Sequence, residues 1–183
     1  MNIFVLDESP QVAARMMCDK HVVKMIVESA QMLSTAHRVL DGEQYTELSV
    51  NNRRIKRWKS PYMLMENTLY KASFVGHPCT QWVMKNDKNY HWLTEHAYEL
   101  CKEYTRRYDK VHKTDDMISI IRYRKPTNIP IEDSMTPFAQ AMPEEYKNED
   151  AVKAYRAYYL GEKRGFAKWK NTKTPYWFEE TLV

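Results

Sequence analysis

Residues 18–40 read CDKHVVKMIVESAQMLSTAHRVL, and this stretch decides the fold. From its second residue onward it contains no Gly or Pro, and apolar side chains recur at helical spacing from Val22 to Leu40. That period predicts one long amphipathic helix with a buried stripe. Asp19 is a suitable N-cap for this helix, and the Asp-Gly pair at 41–42 supplies its end.

The composition agrees with a helical protein. Of 183 residues, 43% are hydrophobic and 28% are charged, which is enough to bury a core, and only 4 are Gly. Because glycine is scarce and β-branched residues are thinly spread, we predict an all-α fold. It would be a compact single-domain bundle of about five to seven helices over 1–183, with a short extended segment at its N-terminus.

Three segments of the chain lack a sustained helical period. We predict a basic loop at 41–60, which stays mobile until an anionic partner orders it, and a loop with three prolines at 122–137. The third segment is an aromatic tail at 166–183. Further helices are predicted from 10 to about 17, 61 to 72, 87 to about 108, 114 to 121, and 151 to about 163.

The cellular setting follows from what the sequence lacks. No apolar run approaches the length of a membrane span, and the first residues do not have the pattern of a signal peptide. The three cysteines are far apart, as is typical of reduced thiols. We therefore expect a cytoplasmic protein with no membrane partner, and composition gives no oligomeric state.

Positive charge is concentrated in clusters with aromatic residues between them. Residues 51–60, NNRRIKRWKS, contain no acid, and further basic zones lie at 106–125 and 163–173. Such clusters favour a polyanion partner, although a solvated lysine-rich surface would give the same pattern. The side chains expected to contact the polyanion are Arg53, Arg54, Lys56 and Arg57 in the first cluster, Lys168 and Lys170 in the last, and Tyr176 and Trp177 just beyond it.

The long helix carries three polar residues with complementary chemistry. His21, Lys24 and Glu28 recur at i, i+3 and i+7, so all three are expected on one ridge. A base, a cation and a carboxylate together can perform acid–base chemistry or stabilise positive charge developing on a sugar ring. The alternative is a salt-bridged surface patch without catalytic function.

Two other patterns allow a functional and a structural interpretation. The string from Trp82 to Trp92 includes Asn89, and its aromatic and amide side chains would suit base stacking and base reading, although such a stripe is more often core. A weak alternative is a zinc site, for which the ligands would be Cys18, His21, His77 and Cys79. Otherwise no metal or cofactor is expected, because no nucleotide-binding or metalloprotease motif is present.

Asp19-Lys20-His21-Val22-Val23, with Glu28 following, resembles the first-helix pattern D-x-H-apolar-apolar-x4-E of the phage endonuclease V type of pyrimidine-dimer DNA glycosylases. Residues 86–110 are similar in character to that family's long second helix, and 176–178 resembles its aromatic C-terminus. The resemblance covers roughly half of the chain, and only the Asp/His/Glu spacing is specific.

The resemblance implies an N-glycosylase that acts on a nucleotide in DNA, with the base or its partner moved out of the stack. Glu28 matches the catalytic glutamate, and His21 matches a histidine near the site. The family's nucleophile is an α-amine at the second residue, which here is Asn2. Ile3 and Val27 stand where the family has arginines.

We therefore expect a DNA-acting enzyme of phage-like character, with duplex DNA containing a damaged or modified pyrimidine as its partner. Glu28 would be the catalytic carboxylate and His21 its acid–base or orienting partner. Lys24 would contact a phosphate or tune the carboxylate. Two alternatives remain open: a transferase that modifies a pyrimidine in DNA, and a non-catalytic nucleic-acid-binding module.

Overall fold

The computed structural model describes residues 1–179 as a mostly helical protein with one small two-stranded sheet. The last four residues of the predicted aromatic tail lie outside the described part. No helix within it is long and apolar enough to cross a membrane. The eight helices are α1 (Pro10–Met16), α2 (Asp19–Asp41), α3 (Met63–Thr68), α4 (Pro78–Lys85), α5 (Asp87–Tyr108), α6 (Asp115–Arg122), α7 (Ala151–Glu162) and α8 (Tyr176–Glu179), and a 3₁₀ turn covers Glu144–Tyr146.

The long helix predicted at the start of the chain is present as α2, and it packs against α4, α5 and α6. Its N-cap is Cys18, so Asp19 is the first helical residue and not the cap. The Asp19 carboxylate instead accepts hydrogen bonds from the backbone of Lys170, at 3.0 and 2.9 Å. An acid in the first turn still complements the helix dipole.

The core joins the N-terminal arm, residues 1–8, to the centre of α2 and α5. Ile3 and Leu6 from the arm, Ile26 and Leu33 from α2, and Leu93 from α5 are all buried in one cluster. The predicted extended segment therefore lies across the helices, and it pairs with no strand among residues 1–179.

The prediction of a loop at 41–60 was wrong. Strands β1 (Glu43–Leu48) and β2 (Arg54–Lys59) form an antiparallel hairpin in which Thr46 pairs with Lys56. The turn contains Asn52 with φ 54°, a left-handed conformation that asparagine tolerates. The fold is therefore mostly α and not all-α.

Arg38 joins the hairpin to α2. Its buried guanidinium donates to the carbonyl oxygens of Trp58, Tyr70 and Leu69, at 2.9, 2.6 and 3.0 Å, and to Glu66 Oε2 at 2.7 Å. These contacts also explain why the helix predicted at 61–72 is short: after Thr68 the backbone turns its carbonyls toward Arg38 instead of continuing the helix.

Much of the second basic zone, 106–125, is used inside the fold. Arg107 is fully buried and pairs with Asp19 and Glu103, at 2.9 and 3.0 Å. Arg122 forms a two-bond pair with Glu95. These cations neutralise the protein's own carboxylates, so the zone offers less charge to a polyanion than the sequence predicts.

Candidate active site

The N-terminal half of α2 presents one ridge to solvent. After Asp19, the residues that are exposed or half-buried there follow a helical stripe: Lys20, Val23, Lys24, Val27, Glu28 and Gln31. From residue 32 to residue 38 every side chain of α2 is buried. The chemistry available on this helix is therefore confined to its first three turns, which we call the α2 ridge.

Glu28 is the carboxylate of the α2 ridge, and both of its oxygens have partners. Oε2 accepts a 2.9 Å hydrogen bond from the backbone N–H of Asn2 and lies 3.8 Å from the amino group of Met1. Oε1 lies 3.2 Å from Lys24 Nζ. The side chain of Glu28 is 12% exposed and that of Lys24 is 68% exposed, so the carboxylate is recessed behind an accessible ammonium group. We call these four groups the Glu28 site.

Asn2 anchors the N-terminal arm at this site. Its Oδ1 accepts from the N–H groups of Ile3 and Phe4, at 2.8 and 3.2 Å, and its Nδ2 donates to Ala141 O at 2.8 Å. The side chain is thus fully used in holding the backbone, and what it offers to the Glu28 site is its backbone nitrogen.

His77, at the start of α4, lies close enough to the amino terminus to feel its charge. It is the N-cap of that helix, and its Nδ1 accepts from the N–H of Cys79 at 3.2 Å. Burial and the positive charge of the chain's amino terminus both lower the pKa of His77, whereas Glu28 raises it. The charges of the Glu28 site therefore act on His77.

His21 does not contact Glu28. It is buried, its Nδ1 lies 2.6 Å from the hydroxyl of Tyr159, and its ring stacks on Phe4 at 4.4 Å. Burial, together with the positive charges of Lys163 and Lys24, lowers the pKa of His21 to about 4, so the ring is neutral at pH 7. Seven residues of helix also separate it from Glu28 by about 10 Å along the axis. His21 supports the arm through Phe4, so the predicted acid–base partnership is absent.

The hairpin divides its cations between two faces. Arg57 faces inward, where its Nε donates to Glu47 Oε1 at 2.7 Å and its Nη1 to Ala72 O at 3.4 Å. Because side chains alternate along a strand, Arg54 and Lys56 face outward. No carboxylate of residues 1–179 pairs with either. Arg53 is exposed in the turn.

The tail meets the other end of the α2 ridge. Lys168 is exposed, and its carbonyl accepts from the N–H of Asp19 at 2.8 Å. Lys170 is exposed as well, with its ammonium 5.6 Å from the Tyr108 ring. Tyr176 is 57% exposed. Trp177 is buried at 8% exposure, which removes it from the surface the sequence assigned to it.

Asn89 and Trp92 belong to the core and not to a DNA-facing surface. Asn89 is fully buried, and its Nδ2 donates to Trp82 O and Thr136 Oγ1, both at 2.8 Å. Trp92 Nε1 donates to Glu8 O at 2.7 Å. With every such group satisfied internally, neither side chain can stack on a base or read its edge.

The four candidate zinc ligands do not form a site. Nowhere in residues 1–179 do three or more His, Cys, Asp or Glu side chains converge as metal ligands would. Cys18 accepts from the Tyr159 hydroxyl at 3.5 Å. Burial raises the pKa of Cys79 to about 11, which keeps it a neutral thiol and a poor ligand. His21 and His77 already use their Nδ1 atoms within the protein.

Helical spacing placed Lys24 and Glu28 together, and the family resemblance named Asn2, but the sequence did not show that Met1 lies beside the carboxylate. The amino group of Met1 and the N–H of Asn2 reach Glu28 only because the arm folds back over α2. Besides the resemblance at Asn2, the sequence signal was the apolar run at residues 3–6, which indicates that the arm is buried.

Comparisons with known proteins identify a family for most of the chain. Neither curated proteins nor solved structures gave a match to the chain. The sequence model of one protein family, described as pyrimidine dimer DNA glycosylase, matches residues 1–117. That range contains the arm, the α2 ridge and the hairpin, and it indicates a DNA glycosylase-like function with DNA as the substrate. The chain belongs to the pyrimidine dimer DNA glycosylase family.

Proposed function

We propose that this protein cleaves the N-glycosidic bond of a nucleotide at a pyrimidine dimer in duplex DNA, with Glu28 as the catalytic carboxylate. The observation that carries the proposal is the Glu28 site: a recessed carboxylate that contacts the amino terminus of the chain on an accessible basic ridge. Family membership supplies the reaction class, and the site supplies residues able to perform it.

The proposed role of Glu28 is electrostatic. As the glycosidic bond breaks, the base leaves with the bonding electron pair and positive charge develops on C1′ and O4′ of the sugar. A fixed, partly desolvated carboxylate stabilises that charge. Lys24 Nζ, 3.2 Å from Oε1, orients the carboxylate and remains exposed enough to contact a phosphate.

The proposed nucleophile is the α-amine of the chain. Its nitrogen lone pair forms a bond to C1′ as the base departs, and the amine then loses a proton to Glu28. The same nitrogen next expels O4′, which takes a proton back, and a Schiff base results. With Met1 retained, the amine is 3.8 Å from Glu28 Oε2. With Met1 removed, the nitrogen of Asn2 becomes the amine, at 2.9 Å from the same oxygen.

The proposed DNA path follows α2. Exposed cations lie near both ends of α2, Lys168 and Lys170 at the Asp19 end and Arg54 and Lys56 on the hairpin that follows its last residue. Attack on C1′ requires a nucleotide that has left the stack, so the duplex must be opened where it passes Glu28.

The test is base release from a synthetic duplex that contains one thymine dimer. It is measured by mass spectrometry after the cyclobutane ring has been reversed by ultraviolet light, because until then the cleaved thymine stays joined to its neighbour. We expect release by the wild type and a loss of about 10²–10³-fold in Glu28→Gln, with duplex affinity within about threefold. The matched control is Glu99→Gln, because Glu99 is also 12% exposed and also pairs with a lysine on its own helix, Lys102 at 2.9 Å. It should leave release unchanged.

Two results would overturn the proposal. Equal release by wild type and Glu28→Gln would remove the carboxylate from the chemistry. Tight, salt-sensitive binding with no release by the wild type would leave a DNA-binding protein without this reaction.

A further inference from the structure

Phe74 combines a strained backbone with an exposed apolar side chain. Its φ is 49°, in the left-handed region, and the residue is 67% exposed. The other non-glycine residues with positive φ in residues 1–179 are Phe4, Asn52, Asp109 and Asn171. Three of these are Asn or Asp, which tolerate the conformation, and Phe4 is buried against His21. Among these residues, only Phe74 combines a left-handed backbone with an exposed apolar side chain.

No contact within the fold accounts for the Phe74 ring. It is not part of the core cluster, and no aromatic ring or cation of the described chain packs on it. A Gly or Asn would satisfy this backbone without exposing an apolar ring to water. The ring therefore has no structural role in the isolated protein.

The backbone around Phe74 is nevertheless firmly held. Ser73 exchanges two hydrogen bonds with Thr35 Oγ1 of α2, each 3.1 Å long. The carbonyl of Phe74 accepts from the N–H of His77 at 3.0 Å, and that of Val75 accepts from Gln81 Nε2 of α4 at 2.7 Å. The ring is thus held out from a rigid turn, which is what a side chain needs if it is to enter another molecule.

The turn lies between the two parts of the proposed DNA surface. On one side the hairpin's Arg57 donates to Ala72 O, and Lys71 is exposed nearby. On the other side His77 shares the field of the Glu28 site. Thr35, which binds the preceding residue, is two helical turns beyond Glu28, about 10 Å along the axis.

We propose that Phe74 is a wedge that enters the base stack of duplex DNA and fills the gap left when a base at the dimer or its partner leaves the stack. This inference rests on the proposed function and adds the residue that opens the duplex. An apolar ring between two bases replaces the lost stacking and keeps the nucleotide from returning. Cations on the hairpin hold the backbone on one side of the wedge while the carboxylate acts on the other.

The first test measures opening of the duplex independently of chemistry. The probe is a duplex with one thymine dimer and 2-aminopurine opposite its 5′ thymine, since 2-aminopurine fluoresces when it is unstacked. Wild type and Glu28→Gln should both raise the fluorescence, whereas Phe74→Ala should not. Phe74→Asn, which suits the left-handed backbone, should give the same loss and unfold at the wild-type temperature. Ile131→Ala, at an exposed apolar loop residue, is the matched control and should behave as wild type.

The second test measures whether Phe74 becomes unnecessary when the duplex already lacks a base opposite the dimer. Base release by Phe74→Ala should fall about tenfold or more on the fully paired duplex. It should return to within about threefold of wild type when an abasic site lies opposite the dimer. Glu28→Gln should not be rescued, because its defect is in bond cleavage.

The outcomes separate this inference from the proposed function. If wild type releases base and Phe74→Ala matches it in both release and fluorescence, the wedge is wrong and the reaction stands. If wild type releases nothing but raises fluorescence in a Phe74-dependent way, the wedge stands and the reaction is wrong. Equal defects of Phe74→Ala on paired and abasic duplexes would also overturn the wedge.

Discussion

The backbone N–H of Asn2 donates a 2.9 Å hydrogen bond to Oε2 of Glu28, which joins the beginning of the chain to the middle of α2. The bond is maintained from three directions. Asn2 fixes its own backbone through Oδ1 and binds Ala141, while Phe4 stacks on His21. The first nitrogen of the chain is therefore placed beside the carboxylate by the fold itself.

The first prediction concerns that nitrogen. Borohydride added during the reaction should trap a covalent protein–DNA adduct on the N-terminal peptide, and mass spectrometry of that peptide would tell whether Met1 or Asn2 carries it. A two-residue extension before Met1 should abolish trapping while affinity for the duplex stays within about threefold, because the extension moves the amine away but leaves the cations in place.

The competing amine is Lys24 Nζ, which lies 3.2 Å from the same carboxylate. Lys24→Gln should still give the N-terminal adduct, at a lower rate. An adduct found on the Lys24 peptide would contradict the assignment of the nucleophile.

The second prediction concerns the hairpin. Arg54→Gln and Lys56→Gln should each weaken binding and reduce the slope of log Kobs against log salt by about 1, since each cation displaces counterions from DNA. Arg57→Gln should act differently, because Arg57 pairs with Glu47 and supports the hairpin itself. Fluorescence anisotropy across a salt series measures all three.

Lys102→Gln is the matched control for these substitutions. Lys102 lies on the exposed side of α5, away from the face that packs on α2, and it pairs with Glu99. Its salt slope should equal that of the wild type. Equal slopes for all four variants would remove the hairpin from the DNA surface.

The hairpin is the part of the fold that could not be predicted from the sequence. The helical spacing of apolar residues in α2 could be recognised because one side of that helix is buried and the other is exposed to solvent. Both faces of β1 are largely exposed, so Glu43–Leu48 carries no apolar alternation. The Asn51-Asn52 pair between two runs of strand-forming residues is a turn signal. The many charges of the segment nevertheless favoured a loop.

The third prediction concerns pH. Burial lowers the pKa of His21, His37 and His96 from 6.5 to about 4. The unfolded chain takes up protons at these residues below pH 6.5, whereas the folded chain does so only near pH 4. Their contribution to stability is complete above pH 6.5 and is lost as pH falls toward 4. Between these limits each should lower the free energy of unfolding by about 1.4 kcal/mol per pH unit.

Urea denaturation at several pH values between 7 and 4.5 measures this slope. His21→Gln and His96→Gln should each reduce it by one histidine's share. His21→Gln should also slow base release without changing the shape of the pH–rate profile above pH 5, because His21 positions Phe4 and exchanges no proton with the substrate. A lost limb in that profile would restore the acid–base role.

The fourth prediction compares two neighbouring arginines that share one glutamate. Arg107 has no exposed side-chain surface, and besides Glu103 and Asp19 it binds the carbonyls of Met17 and Arg15, at 2.9 and 3.0 Å. Arg107→Met should cost about 3–5 kcal/mol in the free energy of unfolding, because it strands buried carboxylates and carbonyls. Arg106 is 45% exposed, and Arg106→Met should cost less than about 1 kcal/mol. Similar losses in thermal or urea unfolding would contradict this ranking.

Helical spacing could predict the part of the candidate site that lies on one helix, α2, and no more. Helical spacing put Lys24 and Glu28 on one ridge, and it put His21 there as well, although His21 lies on the edge that Phe4 and Tyr159 cover. Spacing fixes which residues share a side of a helix but not which neighbour covers that side. The same ambiguity placed Asn89 on a surface when it lies in the core.

Arg38 fixes the distance between the hairpin and Glu28 along the proposed DNA surface. It fastens the base of the hairpin to α2 at a point ten residues beyond Glu28, about 15 Å along the helix. That distance corresponds to about four base-pair steps. Phosphate-interference footprints should therefore be offset to one side of the reacting sugar by a constant number of nucleotides, because a straight helix held by a buried guanidinium sets the interval.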